Sequence, residues 1–279
     1  MSSLIWAATD LNESFNSLKD AVDKKDAAQV KMLSAQTSKE AKEVAKEADP
    51  GGNGTEAWKG RQTFAQEADD YSEYALSAVA VQNPAATVDL TDALLAQNPK
   101  SKYIDGVAAY YLSILGKQGA AKANAGAQKI LTGRPEQEDA LRLLAPGNPQ
   151  YATKLVQVMR SKPKPDNVSE ADWERKKSSM IVDGTYLGAV GPCNRQAWAE
   201  CDRAMRAAEP VLKGTAMAGN VYYLLGVSNF QLGTLTGDRA KMQDGLNFTK
   251  QAAAVPGQMQ GQAANNVAVM SKQMAAPRR

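Results

Sequence analysis

Three residues in this chain could do chemistry by type alone: Asp183, Cys193 and Cys201. The chain has no histidine. The side chain that most often acts as a general base, and most often binds a transition metal, is therefore missing. Asp183 interrupts an apolar run, Met180-Ile181-Val182 before it and Tyr186-Leu187 after it. A carboxylate buried there costs free energy unless it is paired. A raised pKa would suit acid catalysis, but acid–base hydrolysis needs a second carboxylate at a defined distance, and no partner is identifiable. An ion pair with a neighbouring helix, or exposure at a loose interface, is expected instead. Ser, Lys and Tyr occur without a nucleophile motif such as G-x-S-x-G.

Cys193 and Cys201 are the only cysteines. Structural metal sites normally use four ligands with C-x2-C-type spacing, and none assembles here, so no metal and no cofactor is expected. On a single helix the two α-carbons would be about 12 Å apart at 1.5 Å per residue. A disulfide needs them within about 7 Å. The spacing favours two free thiols, although Cys193, in a Gly-Pro turn, could fold back.

The elements that hold these residues read as helices. Alanine is abundant, alternating apolar-polar stretches are nearly absent, and apolar positions recur every three or four residues. Loop punctuation falls at Pro50 to Gly54, Asn98-Pro99, Pro146 to Pro149, Lys162 to Asp166, Gly191-Pro192 and Pro256-Gly257. One helix is expected from Thr9-Asp10 to Lys25, a second around Ala27 to Leu33, and a third, rich in Lys and Glu, from Ser38 to Ala48. A long one opens at Thr55 and passes Trp58, Phe64, Tyr71 and Tyr74. Shorter ones follow over Asp89–Gln97, Ser101–Leu115, Ala120–Leu131, Pro135–Leu144 and Gln150–Met159, and another begins at Ser169. The count is about fourteen helices, hence about seven antiparallel pairs.

Two of these segments share a spacing. Gly184 precedes Gly191 by seven residues, and Gly226 precedes Gly233 by seven. The C-terminal third resembles the tetratricopeptide repeat (TPR) family, whose unit joins two helices through a glycine-containing turn. Leu225-Gly226 with Gly233 is similar to that family's leucine-glycine and turn glycine. Gly245 and Ala252 fit the small positions of the second helix, and Pro256 its end. Thr234 to Gly237, with a few residues beyond, look like an insertion in the turn. The preceding unit matches through Gly184, Gly191, Ala197, Cys201, Ala204 and Pro210. It departs where Asp183 replaces a leucine, and the last unit departs where Asn229 replaces an aromatic. The resemblance covers residues 169–256; upstream, only helix lengths and breaks agree.

The resemblance implies an all-α, right-handed α-solenoid, because a helix pair cannot bury its apolar face alone and must stack on its neighbours. Residues 1–50 would form N-terminal helices or a cap, 51–168 divergent repeats, and 169–279 TPR-like repeats with a capping helix. It also implies a non-enzymatic module that binds a protein or peptide on the concave face of its first helices. Carried onto this chain, that face holds Ile181, Thr185, Tyr223, Val227 and Phe230. The lysines and asparagines with which one TPR subgroup grips a C-terminal carboxylate are absent from the matching places. An enzyme acting on glycans or peptides, or an assembly protein, would be the alternatives. Many bacterial members work in the periplasm or envelope.

Charge is unevenly spread. Residues 1–99 carry 9 basic and 16 acidic side chains, and residues 100–164 carry 11 and 4. The acidic block Glu67, Asp69, Asp70, Glu73 lies in a stretch without Lys or Arg between Gln62 and Pro99. Neighbouring units that complement each other are expected, rather than a docking surface for an acidic polymer. Nothing has the concentrated basic stripe of a nucleic-acid binder. No apolar stretch is long enough to span a membrane. The opening Leu4 to Ala8 is too short for a complete secretion signal and has no basic residue before it. A periplasmic or secreted location would follow if a signal has been trimmed away, and a cytoplasmic one otherwise. In the pairs Tyr110-Tyr111 and Tyr222-Tyr223, one ring is expected in the core and the other facing out.

Overall fold

The computed structural model describes residues 2–166 and 168–276, with side chains from Asp10 onward. The apolar opening Leu4 to Ala8 therefore has no described side chains. Thirteen α-helices and no strands occur among the described residues. They divide into two compact units that meet between Ala140 and Leu141 in sequence.

The first unit contains α1 (Ser2–Asp23), α2 (Ala27–Ala45), α3 (Thr55–Gln82), α4 (Thr87–Gln97), α5 (Ile104–Gln118) and α6 (Ala120–Gly133). Each packs on the next, and α1 and α5 also pack on α3. Leu11, Leu18, Val30, Leu76, Val79, Leu90, Leu94, Ile104 and Ile130 are its buried core. Asp26 starts α2 by accepting hydrogen bonds from the amides of Ala28 and Gln29, both at 3.1 Å. One continuous α2 replaces the two helices expected over Ala27–Leu33 and Ser38–Ala48. Its buried residues Val30, Ser34, Thr37, Ala41 and Val44 keep a single stripe across the expected break.

The short α7 (Glu138–Leu144) crosses the boundary, and the second unit holds α8 (Pro149–Ser161), α9 (Glu170–Asn194), α10 (Trp198–Leu212), α11 (Ala218–Thr236), α12 (Arg239–Ala254) and α13 (Gln260–Ala275). Asn148, Ser169 and Asp238 cap α8, α9 and α12 through their side-chain oxygens. Again each helix packs on its successor, and α11 also touches α13. This serial packing is consistent with a helical repeat.

Glycine sets the closest approach. A Cβ placed on Gly245 of α12 would lie 2.5 Å from the Phe230 amide nitrogen and 2.7 Å from the Gly226 carbonyl oxygen of α11. Gly184 meets α8, the helix before its own, at 2.8 Å from Val156 Cγ2 and 3.1 Å from the Ala152 carbonyl oxygen. The glycines expected at the turns stand elsewhere. Gly191 lies inside α9 and Gly233 inside α11. A Cβ on Gly233 would come within 2.6 Å of the Met242 backbone nitrogen, so this is another close-packing position. The residues read as an insertion extend α11 to Thr236, and Gly237, at φ +71°, makes the turn in the left-handed region.

These contacts set opposite outcomes for one substitution. Gly245→Ala should lower the unfolding free energy by about 2 kcal/mol, because backbone must move to admit the methyl. Gly60→Ala in α3, where a Cβ meets nothing within 4 Å, should raise it by roughly 0.5 kcal/mol. Urea titration followed by circular dichroism measures both; equal effects would remove the packing role assigned to Gly245.

Candidate functional site

Of the five residues expected on a binding face, the structure brings two together in a core. Phe230 is 4% exposed and packs with Leu246 and Met270, and Val227, Met242, Val267 and Met274 close around them. Phe230 therefore presents no open surface. It turns inward onto Leu246 of α12 and Met270 of α13. Tyr223, four residues before Val227 on the same helix, is half-buried, and its hydroxyl accepts a hydrogen bond from the Asn266 side-chain amide of α13 at 3.2 Å. Ile181 and Thr185 are half-buried on α9, outside that cluster. The Thr185 hydroxyl is used up locally, donating to the Ile181 carbonyl at 2.7 Å.

The contact of α9 with α11 is mainly apolar, Val182 and Tyr186 packing towards Val221 and Leu225. Burial pushes the Tyr186 phenol above its ordinary pKa, and the Asn220 side-chain amide, hydrogen-bonded to it, offsets part of that rise. Tyr186 also packs against the buried cluster of Cys201, Met205, Leu212, Val221 and Leu225.

The cysteines form a disulfide, against the expectation of free thiols. Their α-carbons are 4.7 Å apart, and both residues are buried. The straight-helix spacing fails because α9 stops at Asn194 and the chain reverses. Gln196 takes a left-handed φ of +59°, and α10 begins at Trp198. Pro192 is accommodated inside α9 near its end, so the Gly-Pro pair does not make the turn.

Asp183 has the expected ion pair. Its carboxylate, 17% exposed, meets Arg142 of α7 at 2.7 Å. The departure at Asn229 is also resolved. This fully buried amide donates to Asp202 at 2.6 Å and to the Leu225 carbonyl at 2.9 Å, while Arg206 donates to its oxygen at 3.3 Å. Arg206 and Asp202 pair at 2.9 Å, and the guanidinium lies 5.3 Å over Phe248, which stacks on Tyr222. The polar network joins α10 to α11 and uses both N–H groups and the oxygen of the asparagine side chain. In the other tyrosine pair, Tyr111 is buried and Tyr110 is 56% exposed, as expected.

The first unit pairs its charges internally. Lys102 meets Asp70 at 2.9 Å, Lys129 meets Asp92 at 2.6 Å, and Arg134 meets Asp105 at 2.6 Å. Tyr111 donates to the same Asp92 at 2.9 Å, and burial together with that contact holds its phenol far above the ordinary range. An open groove of about 1000 Å³ lies between α2 and α4, floored by Ala28, Met32, Ala35 and Ala93 and edged by lysines. Reading α2 as two helices hid it; the signal available was the recurrence of Ala28, Met32, Ala35 and Lys39 on one face. Its lysines are largely engaged, Lys31 with Asp89, Lys42 with Asp69 and Lys46 with Glu43.

Among the described residues no three His, Cys, Asp or Glu side chains converge as a metal site, and no helix is long and apolar enough to cross a membrane. The chain matches no protein-family model, no curated protein and no solved structure.

The disulfide closes a short loop, and its loss is measurable. Cys193→Ser with Cys201→Ala should destabilise the second unit by about 2.5 kcal/mol, from the chain entropy the bond removes from the unfolded state. A thermal melt unchanged between oxidised and reduced protein would show that the bond contributes nothing.

Proposed function

We propose that this chain is a non-enzymatic, TPR-like helical-repeat protein, its helix pairs stacked as a right-handed solenoid, that binds a peptide or protein segment. The observation that carries the reading is the serial packing of α8 to α13, each helix on its successor, with the Tyr223–Asn266 hydrogen bond and the Phe230–Met270 contact joining α11 to α13, read here as successive helix pairs. The glycine contacts between α11 and α12 support the same pairing. Ile181, Thr185 and Tyr223 remain half-exposed and supply the face; Phe230 and most of Val227 support it from beneath. Rigid, half-buried aromatic side chains with a polar tip suit such a face, since they bury much area at little entropic cost. The Cys193–Cys201 bond supports an oxidising compartment, such as a bacterial periplasm or the cell exterior.

Selection of linear peptides on the full-length chain, followed by fluorescence anisotropy, tests the assignment. Ile181→Asp and Tyr223→Ala should each weaken the selected peptides about tenfold while the far-ultraviolet circular dichroism is kept. Affinities unchanged in both variants would move the site elsewhere.

A further inference from the structure

A row of aromatic rings crosses the first unit, its Phe15 and Phe64 end packed against the buried cluster of Leu11, Ala41, Val44, Ala65 and Ala68 and its tyrosine end more open. In order they are Phe64, Phe15, Tyr71, Tyr74 and Tyr103, with centroid steps of 5.3, 5.3, 5.6 and 5.6 Å. Phe64, Tyr71 and Tyr74 recur at helical spacing along one face of α3, Phe15 comes from α1, and Tyr103 stands just before α5. None of the five is buried, and Tyr74 is 43% exposed. Most of the steps are edge-to-face, so successive rings turn their faces in different directions.

Three of the rings already have a cation from the chain itself over them, Lys19 also lying 6.0 Å from the Tyr71 centroid. The Lys19 ammonium lies 4.1 Å from the Phe15 centroid, and that of Lys102 lies 4.9 Å from the Tyr103 centroid. Tyr74, between them and the most open of the five, has no such cation among the described residues. Carboxylates accompany the row. Asp23 acts electrostatically on Tyr71, Asp70 accepts from the Tyr103 hydroxyl at 2.6 Å, and Glu67 is exposed one turn before Tyr71 on α3. No Lys or Arg occurs between Gln62 and Pro99, and residues 1–99 carry a net charge of −7.

We propose that this row, centred on Tyr74 with the exposed Glu67 two turns before it on α3, is a docking surface for an arginine-rich segment of a partner protein. A guanidinium would lie on the open Tyr74 face, as the two lysines lie on Phe15 and Tyr103, with a carboxylate beside it. Arginine fits better than lysine because its planar, weakly hydrated group stacks on a ring while its N–H fork reaches a carboxylate. Nucleic acid also uses aromatic rows, but its phosphates would be repelled by this acidic half of the chain. The surface lies in the first unit and is independent of the peptide-binding face of the second.

Fluorescein-labelled octa-arginine, octa-lysine and octa-proline, titrated against the full-length chain in low salt, decide the matter. Octa-arginine should bind more tightly than octa-lysine, and octa-proline should not bind. Tyr74→Ala should weaken octa-arginine roughly threefold to fivefold, the range for one ring–cation pair at an exposed site. Tyr74→Phe should restore it, and Glu67→Gln should weaken it. Tyr74 is solvent-exposed, and a matching melting curve for Tyr74→Ala excludes misfolding as the cause. Octa-arginine binding that Tyr74→Ala leaves unchanged would reduce the effect to net charge and overturn the proposal. So would binding of octa-proline in place of octa-arginine.

Discussion

An amphipathic helix cannot cover its own apolar stripe, and in this chain the approach of α11 to α12 is where that constraint is met most closely. Gly226 and Gly245 face each other with no side chain between the backbones, and the Thr249 hydroxyl fits into the space by donating to the Gly245 carbonyl at 2.8 Å. Each glycine costs about 0.5–1 kcal/mol of helix propensity. The close-packed backbones return dispersion contacts over the length of both helices. Because the two helices are held so near, Phe230 and Leu246 reach a common pocket, and α13 closes it through Met270. The position of α13 then decides which parts of α11 remain open: Tyr223 is left half-exposed beside Asn266, and Phe230 is covered.

Helix type and extent were legible because apolar spacing reports them directly. The long α3, the short α4 and the N-cap at Ser169 stand where the pattern places them. Turns were read less well, because glycine has two uses and the sequence does not say which applies. Gly191 and Gly233 were expected to reverse the chain, but both sit within helices. The reversal after α9 instead uses Gln196, a residue that rarely takes a positive φ and so gives no warning. Once that turn was missed, the disulfide was missed with it, since the distance between Cys193 and Cys201 was counted along a helix that ends between them. The burial of Phe230 depends on something else. Its place in the helical stripe was read correctly, but whether that stripe faces solvent depends on α13, which lies outside the matched residues.

The charge pattern has a local solution. The basic residues that begin at Lys100 meet the acidic ones of the preceding helices within the first unit, as Lys102 with Asp70 and Lys129 with Asp92. These pairs are largely exposed and worth about 0–1 kcal/mol each. Their contribution is to favour one arrangement of α3 to α6 over others, since like charges would meet in the wrong one. Arg142 with Asp183 does more, because a carboxylate 17% exposed is poorly served by water. It lets α9 carry an acid within an apolar stretch.

Stiffness links the packing to recognition. A face that must order itself on binding gives up affinity for every side chain and loop it immobilises. In the second unit the disulfide fixes the α9–α10 turn, the network of Asp202, Arg206 and Asn229 fixes α10 to α11, and the glycine contact fixes α11 to α12. The three constraints differ in kind, one covalent, one polar and one steric, yet each acts at a successive helix junction. The half-exposed side chains of α9 and α11 are therefore carried on helices whose positions are held by their own packing. The aromatic row of the first unit obtains its order differently, from ring–ring contacts worth about 0.5–1.5 kcal/mol each. Those contacts hold the edges of the rings and leave faces open, which is the part of an aromatic side chain that attracts a cation.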